Sequence, residues 1–139
     1  MAVARQVLVD TGPLVALLDG SDAWHSVCVE TSKELPVPLL TCWPVIAEAA
    51  WLLRQSPQAM DALLARCEDG TLDVCHLEAE DVKRIRRMLL KYADIGAQLA
   101  DAALVRLAER EKLDTIFTLD QHDFRIYRLE GNRSLRIIP

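Results

Sequence analysis

The run Val7-Leu8-Val9-Asp10-Thr11-Gly12-Pro13 decides how this chain is read. Apolar, β-prone residues close a buried strand. A carboxylate follows, then a glycine, then a proline whose missing N–H costs nothing in the first turn of a helix. An acid at the junction of strand and helix lies on the sheet edge where open α/β proteins bind their ligands.

Outward from this stretch, short β-rich runs alternate with helical patterns, the mark of βαβ units and a mainly parallel sheet covered on both faces. The runs Gln6 to Val9, Leu39 to Thr41, Leu72 to Cys75, Thr115 to Thr118 and Leu135 to Ile138 are predicted strands, with about six helical segments between them. The first helix opens at Pro13 and stops at the Asp19-Gly20 turn. Asp22 is placed to cap a second helix carrying Trp24, Val27 and Cys28. Pro44 starts a third that runs to Arg54, and Ser56-Pro57 starts a fourth that ends at Asp69-Gly70.

From Glu78 to Tyr92 the pattern is amphipathic, with Val82, Ile85, Leu89 and Tyr92 as a core stripe and Lys83, Arg84, Arg87 and Lys91 facing outward. A last long helix spans Ala97 to Lys112. Right-handed crossovers then give an α/β fold: a three-layer α/β/α sandwich around a central, mainly parallel sheet of about five strands. No stretch is long or polar enough to act as a linker, so residues 1–139 are expected to form a single domain.

Composition narrows the function. Half the residues are hydrophobic (51%) and charges of both signs are mixed, as in an ordered globular protein. The net charge of −5 argues against indiscriminate nucleic-acid binding. The longest charge-free stretch, Leu35 to Ala47, contains three prolines and falls short of the roughly 20 apolar residues of a membrane helix. Met1 to Asp10 is unlike a secretory leader, and a cytoplasmic location is the expectation. Cys28, Cys42, Cys67 and Cys75 form no Cys-x-x-Cys pair and have no His at zinc-ligand spacing, so they read as reduced core or strand residues.

Three more acids sit in places unlike those of surface acids. At roughly 100° per residue, Glu48 shares a helix face with Val45, Trp51 and Leu52. It needs a cation, a hydrogen-bond partner or a raised pKa there, unless it reaches past the helix end into solvent. Asp101 lies beside Leu104 and Ala108, away from the polar face of Arg106, Glu109 and Arg110; the alternative for it is a first-turn acid favoured by the helix dipole. Asp120 follows the apolar strand Thr115-Ile116-Phe117-Thr118 on the same sheet edge as Asp10; for both, a turn or cap role stands as the alternative.

Taken together, two strand-end acids and two acids on apolar helix faces can converge on one edge. Such a cluster repels itself unless a hard divalent cation with oxygen ligands, magnesium or manganese, is held among them. Ions held this way activate water and stabilise a leaving oxygen in phosphodiester hydrolysis.

These residues resemble the PIN domain family, and within it the ribonuclease toxins of the VapC type. The resemblance covers essentially the whole chain. It rests on Val9-Asp10-Thr11-Gly12-Pro13-Leu14-Val15-Ala16-Leu17-Leu18, Pro44-Val45-Ile46-Ala47-Glu48-Ala49-Ala50-Trp51-Leu52-Leu53, Tyr92-Ala93-Asp94 with Leu99-Ala100-Asp101-Ala102-Ala103-Leu104, and Thr118-Leu119-Asp120-Gln121-His122-Asp123-Phe124. By similarity Asp10, Glu48, Asp101 and Asp120 match the family's acidic metal quartet, and Thr11 a hydroxyl that accompanies the first acid. Asp94 is a helix entry residue or a supporting one, and Asp123 supplements the site or fixes its loop. The resemblance implies Mg- or Mn-dependent cleavage of RNA, a homodimer, and an antitoxin partner that inserts a segment near the site. The alternative within the family is a metal-binding RNA-processing or assembly protein without nuclease activity of its own.

Other readings are weaker. Asp-Thr-Gly also occurs in dimeric aspartic proteases, but that reading demands a mostly β chain. A receiver-like domain would need a second acid beside Asp10 and a Lys soon after Thr118. Lys83, Arg84, Arg86, Arg87 and Lys91 read as a dipole-compensated surface helix opened by Glu78, Glu80 and Asp81; Arg125, Arg128, Arg133 and Arg136 form a second basic group. His25, His76 and His122 have no nucleophile partner, and Trp24, Trp43 and Trp51 are expected in the core or at a dimer interface.

Overall fold

Strands β1 (Leu8–Val9), β2 (Leu39–Cys42), β3 (Leu72–Cys75), β4 (Thr115–Phe117) and β5 (Arg136–Ile138) pair in the order β3-β2-β1-β4-β5, every pairing parallel. A computed structural model describes residues 5–139; residues 1–4, the start of the segment read as unlike a secretory leader, lie outside the described residues. Leu8 sits opposite Leu40 on one side and Ile116 on the other, which puts β1 at the sheet centre, where Leu8 and Val9 are fully buried.

The chain moves outward from β1 through β2 to β3, then returns to the opposite side of β1 for β4 and β5. The strand order therefore reverses between β1 and β4, and a crevice opens beyond their carboxyl ends. Asp10 follows β1 and Asp120 follows β4 by three residues, so both flank that crevice.

Helices α1 (Thr11–Leu18), α2 (His25–Lys33), α3 (Trp43–Leu52), α4 (Pro57–Glu68), α5 (Ala79–Lys91), α6 (Leu99–Arg110) and the short α7 (Gln121–Ile126) flank the sheet, completing the α/β/α sandwich. Helix α1 starts two residues earlier than the Pro13 signal indicates, because the Asp10 carboxylate accepts the Thr11 N–H and caps it there. Helix α4 opens as expected, with the Ser56 hydroxyl accepting the Ala59 N–H ahead of Pro57. Asp22 accepts the Trp24 N–H instead of capping α2, which begins at His25. Helix α6 is buried along most of its length through Ala100, Ala102, Ala103, Leu104, Val105, Leu107 and Ala108; its alanines allow close approach to its neighbours.

The amphipathic reading of α5 needs correction. Ile85, Met88 and Tyr92 form the buried stripe, while Val82 is exposed. Arg84 does not face outward, since its guanidinium grips Glu109 of α6 through Nε and Nη2 at 2.8–3.1 Å. Asp81 is no surface acid either: with 0% exposure it accepts from Arg106 Nε and Arg110 Nη1, both at 2.7 Å, and from the Glu78 N–H at 2.7 Å. The Arg106, Glu109 and Arg110 face is thus the polar seam between α5 and α6.

Trp24, Trp43 and Trp51 are half or more exposed, so of the two places expected for them, core and dimer interface, the core is excluded; the Trp51 indole carries the Arg54 guanidinium 3.8 Å from its centroid. Cys28 and Cys42 are buried, Cys67 and Cys75 half-buried, and all four are free. Among the described residues no helix is long and apolar enough to cross a membrane.

Candidate functional site

Asp10 leaves β1 with its backbone N–H bonded to the Phe117 carbonyl of β4. Its carboxylate is held at both oxygens. Oδ1 accepts the Thr11 N–H at 2.8 Å, and Oδ2 accepts the Thr118 hydroxyl at 2.8 Å. The side chain is almost wholly buried, and that burial, aided by Asp101 and Glu48, outweighs the two hydrogen bonds and pushes its pKa up to about 6.

Thr118 is fully buried and its hydroxyl works in both directions, donating to Asp10 and accepting the Asp120 N–H at 3.0 Å. Asp120 caps α7 by accepting the Asp123 N–H at 3.2 Å. The approach of this loop to α1 depends on Gly12, where a Cβ would meet the Leu119 side chain at 3.3 Å. A residue with a side chain would press the start of α1 away from the β4–α7 loop.

Asp101 comes from the first turn of α6. Its Oδ2 accepts the Tyr127 hydroxyl at 2.9 Å and the Gln98 N–H at 3.2 Å, so it closes the helix start as well as facing the cleft. Glu48 stands on α3, half-buried. Its helix face is not a core face, for Trp51 and Leu52 beside it are exposed and only Val45 is buried. That face forms a wall of the cleft. Burial raises the pKa of Asp101, Glu48 and Asp120, with neighbouring acids adding to it: Asp101 for Glu48, Asp120 and Asp123 for Asp101, and Asp123 for Asp120.

The cleft, about 540 Å³, is lined by Asp10, Thr11, Gly12, Glu48, Leu52, Gly96, Gln98, Asp101, Leu119, Asp120 and Asp123. All four acids singled out in the sequence meet there, with Thr11 and Asp123. Asp94 does not: it lies on the exposed 3-10 turn Ala93–Ile95. A cleft of equal volume beside edge strand β3 has a mostly apolar lining, with Glu68, Asp73 and His76 exposed around it and no buried carboxylate.

Two site residues were not legible from the sequence. Thr118 was read only as the end of a strand, although a hydroxyl two residues before an acid is a local signal for bonding to the following backbone. Tyr127 had no such signal, because its acceptor lies 26 residues away.

The acids ring the cleft without collapsing on one point: among the described residues no three carboxylate, imidazole or thiol groups converge at ligating distance. The donor set is nevertheless that of a hard cation, since every polar side chain around the cleft is an oxygen or amide donor. Thr11 Oγ1 strengthens the fit, being the one buried side-chain polar atom without a hydrogen-bond partner among the described residues.

A parallel sheet with acids gathered at its topological switch point defines a carboxylate-based α/β protein. Comparison with known proteins gives the family. The PIN domain family matches residues 7–129. Ribonuclease VapC26 of Mycobacterium tuberculosis is 30% identical over 138 residues, spanning 96% of this chain and all of that protein. In fold the chain is similar to the crystal structure of Mycobacterium tuberculosis VapC20, a sarcin-ricin-loop-cleaving toxin; the TM-score is 0.77 at 19% identity, over 84% of this chain and 92% of that one. The chain belongs to the PIN domain family.

Proposed function

We propose that this protein is a divalent-metal-dependent endoribonuclease of the VapC kind, acting as the toxin of a toxin–antitoxin pair. The observation that carries the proposal is the meeting of Asp10, Glu48, Asp101 and Asp120, from four separate segments, in one cleft beside the unpartnered hydroxyl of Thr11. The relationship to the ribonuclease VapC26 supports the choice of RNA as substrate.

Asp10, Glu48, Asp101 and Asp120 would hold Mg²⁺ or Mn²⁺, with Thr11 as a neutral donor and Asp123 at the rim. When bound, such a cation supplies an activated water and neutralises charge on the phosphodiester and its leaving oxygen. The protein's own contribution is placement. Thr11 N–H and Thr118 fix both oxygens of Asp10, and Thr118 ties that carboxylate to the loop bearing Asp120. Leu52, Leu119 and Gly12 give the cleft an apolar wall. An acidic cleft repels a nucleic-acid backbone, so the same four carboxylates make RNA entry depend on the cation.

The earlier candidates for phosphate contact divide. Arg84 is committed to Glu109, and Arg128 donates to the Arg125, Ile126 and Tyr127 carbonyls at the end of α7. Lys83, Arg86, Arg87 and Arg136 are exposed and can meet RNA, whereas the exposed Arg125 and Arg133 already donate to the Gln121 side chain and the Glu130 carbonyl. The proposal includes a cytoplasmic location, a cognate antitoxin and a homodimer, and the exposed Trp24, Trp43 and Trp51 offer apolar surface for such partners.

The test is incubation of total RNA with the purified protein in Mn²⁺, Mg²⁺ or EDTA. Discrete cuts in metal and none in EDTA are expected. Metal binding without any cleavage would favour a PIN domain that serves assembly or RNA processing without cutting.

A further inference from the structure

We infer that Tyr127 is a positioning residue for Asp101: its hydroxyl selects the rotamer in which one carboxylate oxygen is left for the cleft, and its loss weakens divalent-cation binding without unfolding the protein. The inference rests on the proposed metal role of the cleft and adds a residue from outside it.

Tyr127 follows α7, is completely buried, and does not line the cleft. Its ring is fixed edge-on against Tyr92 and Phe124, each with a centroid separation of 5.1 Å. The next residue is tied down as well, since the Arg128 N–H donates to the Tyr92 hydroxyl at 3.0 Å. The Tyr127 O–H therefore has one place to point, and a buried phenol needs an acceptor.

That acceptor is Oδ2 of Asp101, which also takes the Gln98 N–H. Two donors on the same oxygen fix the plane of the carboxylate. Among the described residues Oδ1 receives no hydrogen bond, and it is the oxygen left for a cation. A donor behind a ligating carboxylate orients it, and removing such a partner typically weakens metal affinity about 10–100-fold.

The test is Mn²⁺ binding by the whole protein, followed through the electron paramagnetic resonance signal of free Mn²⁺, for the unaltered chain, Tyr127→Phe, Asp101→Asn and the double variant. Tyr127→Phe keeps every carbon contact of the ring, and thermal unfolding in EDTA reports whether the fold is retained. Tyr127→Phe is expected to bind Mn²⁺ about 10–100-fold more weakly. Tyr127→Phe should add nothing once Asp101 is Asn. Mn²⁺ binding that requires Asp101 but is unchanged by Tyr127→Phe would overturn this inference and leave the metal role standing. No Mn²⁺ binding by the unaltered chain would overturn both.

Discussion

The Thr118 hydroxyl spans Asp10 and Asp120, donating to one carboxylate at 2.8 Å and accepting the backbone N–H of the other residue at 3.0 Å. It joins the ends of β1 and β4 at the reversal of strand order. Thr118→Val keeps the shape and removes both bonds, leaving a buried carboxylate oxygen and an amide short of partners. The variant should be destabilised by about 1–3 kcal/mol. Its RNA cleavage in Mn²⁺ should fall at least tenfold. Urea unfolding and a cleavage time course check the two effects separately.

Asp10 should make stability depend on pH in a direction opposite to that of most carboxylates. Its folded pKa of about 6 lies above its ordinary value of 3.8, so the folded state holds a proton that the unfolded chain has lost. The resulting penalty is absent at low pH, grows as pH rises through that interval, and is complete above it. Asp10→Asn removes the penalty. In metal-free buffer it should be more stable than the unaltered protein at pH 8 by about 1–2 kcal/mol, the linkage gain less the Thr118 bond, and by pH 4 the order should reverse because only the lost bond remains. Equal stability at both pH values would contradict the assignment.

Asp81 behaves the other way. Burial opposes its ionisation, but the Glu78 N–H and the guanidinium groups of Arg106 and Arg110 prevail and hold its pKa below the ordinary value. Its contribution is present above the usual carboxylate range and lost as pH falls through its depressed folded value. Asp81→Asn removes the buried counter-charge of Arg106 and Arg110, leaving Arg106 with Glu109 at 3.8 Å and Arg110 with Glu111 at 3.2 Å. Because both arginines are a fifth to a quarter exposed, the cost should be about 2–3 kcal/mol, below that of breaking a fully buried pair. A reduced acid sensitivity in thermal scans from pH 7 to pH 3 checks the sign.

Divalent cations should stabilise the fold by mass action, since they bind the gathered acids and not the unfolded chain. At Mn²⁺ about 100 times its Kd the gain is about 2.7 kcal/mol, visible as a rise of several degrees in Tm. Asp10→Asn and Asp101→Asn should lose most of that rise. Asp94→Asn, outside the cleft, should keep it.

The parallel sheet and four of the acids were legible because their signals are local. A strand-end Asp before Gly-Pro, a Ser-Pro helix start and alternating β and α periods each fit within a few residues. The polar seam between α5 and α6 was not legible, because Asp81 and its arginine partners are 25 and 29 residues apart and charged residues at helical spacing look alike whether they face solvent or another helix. Glu48 does line the cleft, but its face borders that cleft and not the core, and Trp51 and Leu52 remain exposed. Tyr127 and Thr118 escaped notice because only tertiary packing brings their hydroxyls to a carboxylate.

The most direct test of the central claim is single-turnover cleavage of one RNA, in Mn²⁺, by the unaltered protein and by Asp10→Asn, Glu48→Gln, Asp101→Asn and Asp120→Asn, each first shown to be folded. The account predicts discrete cuts by the unaltered protein, abolished by EDTA, and a loss of about 10²-fold or more in each variant, comparable to removing one electrostatic element of an active site. Cleavage by folded Asp10→Asn at the unaltered rate would contradict it.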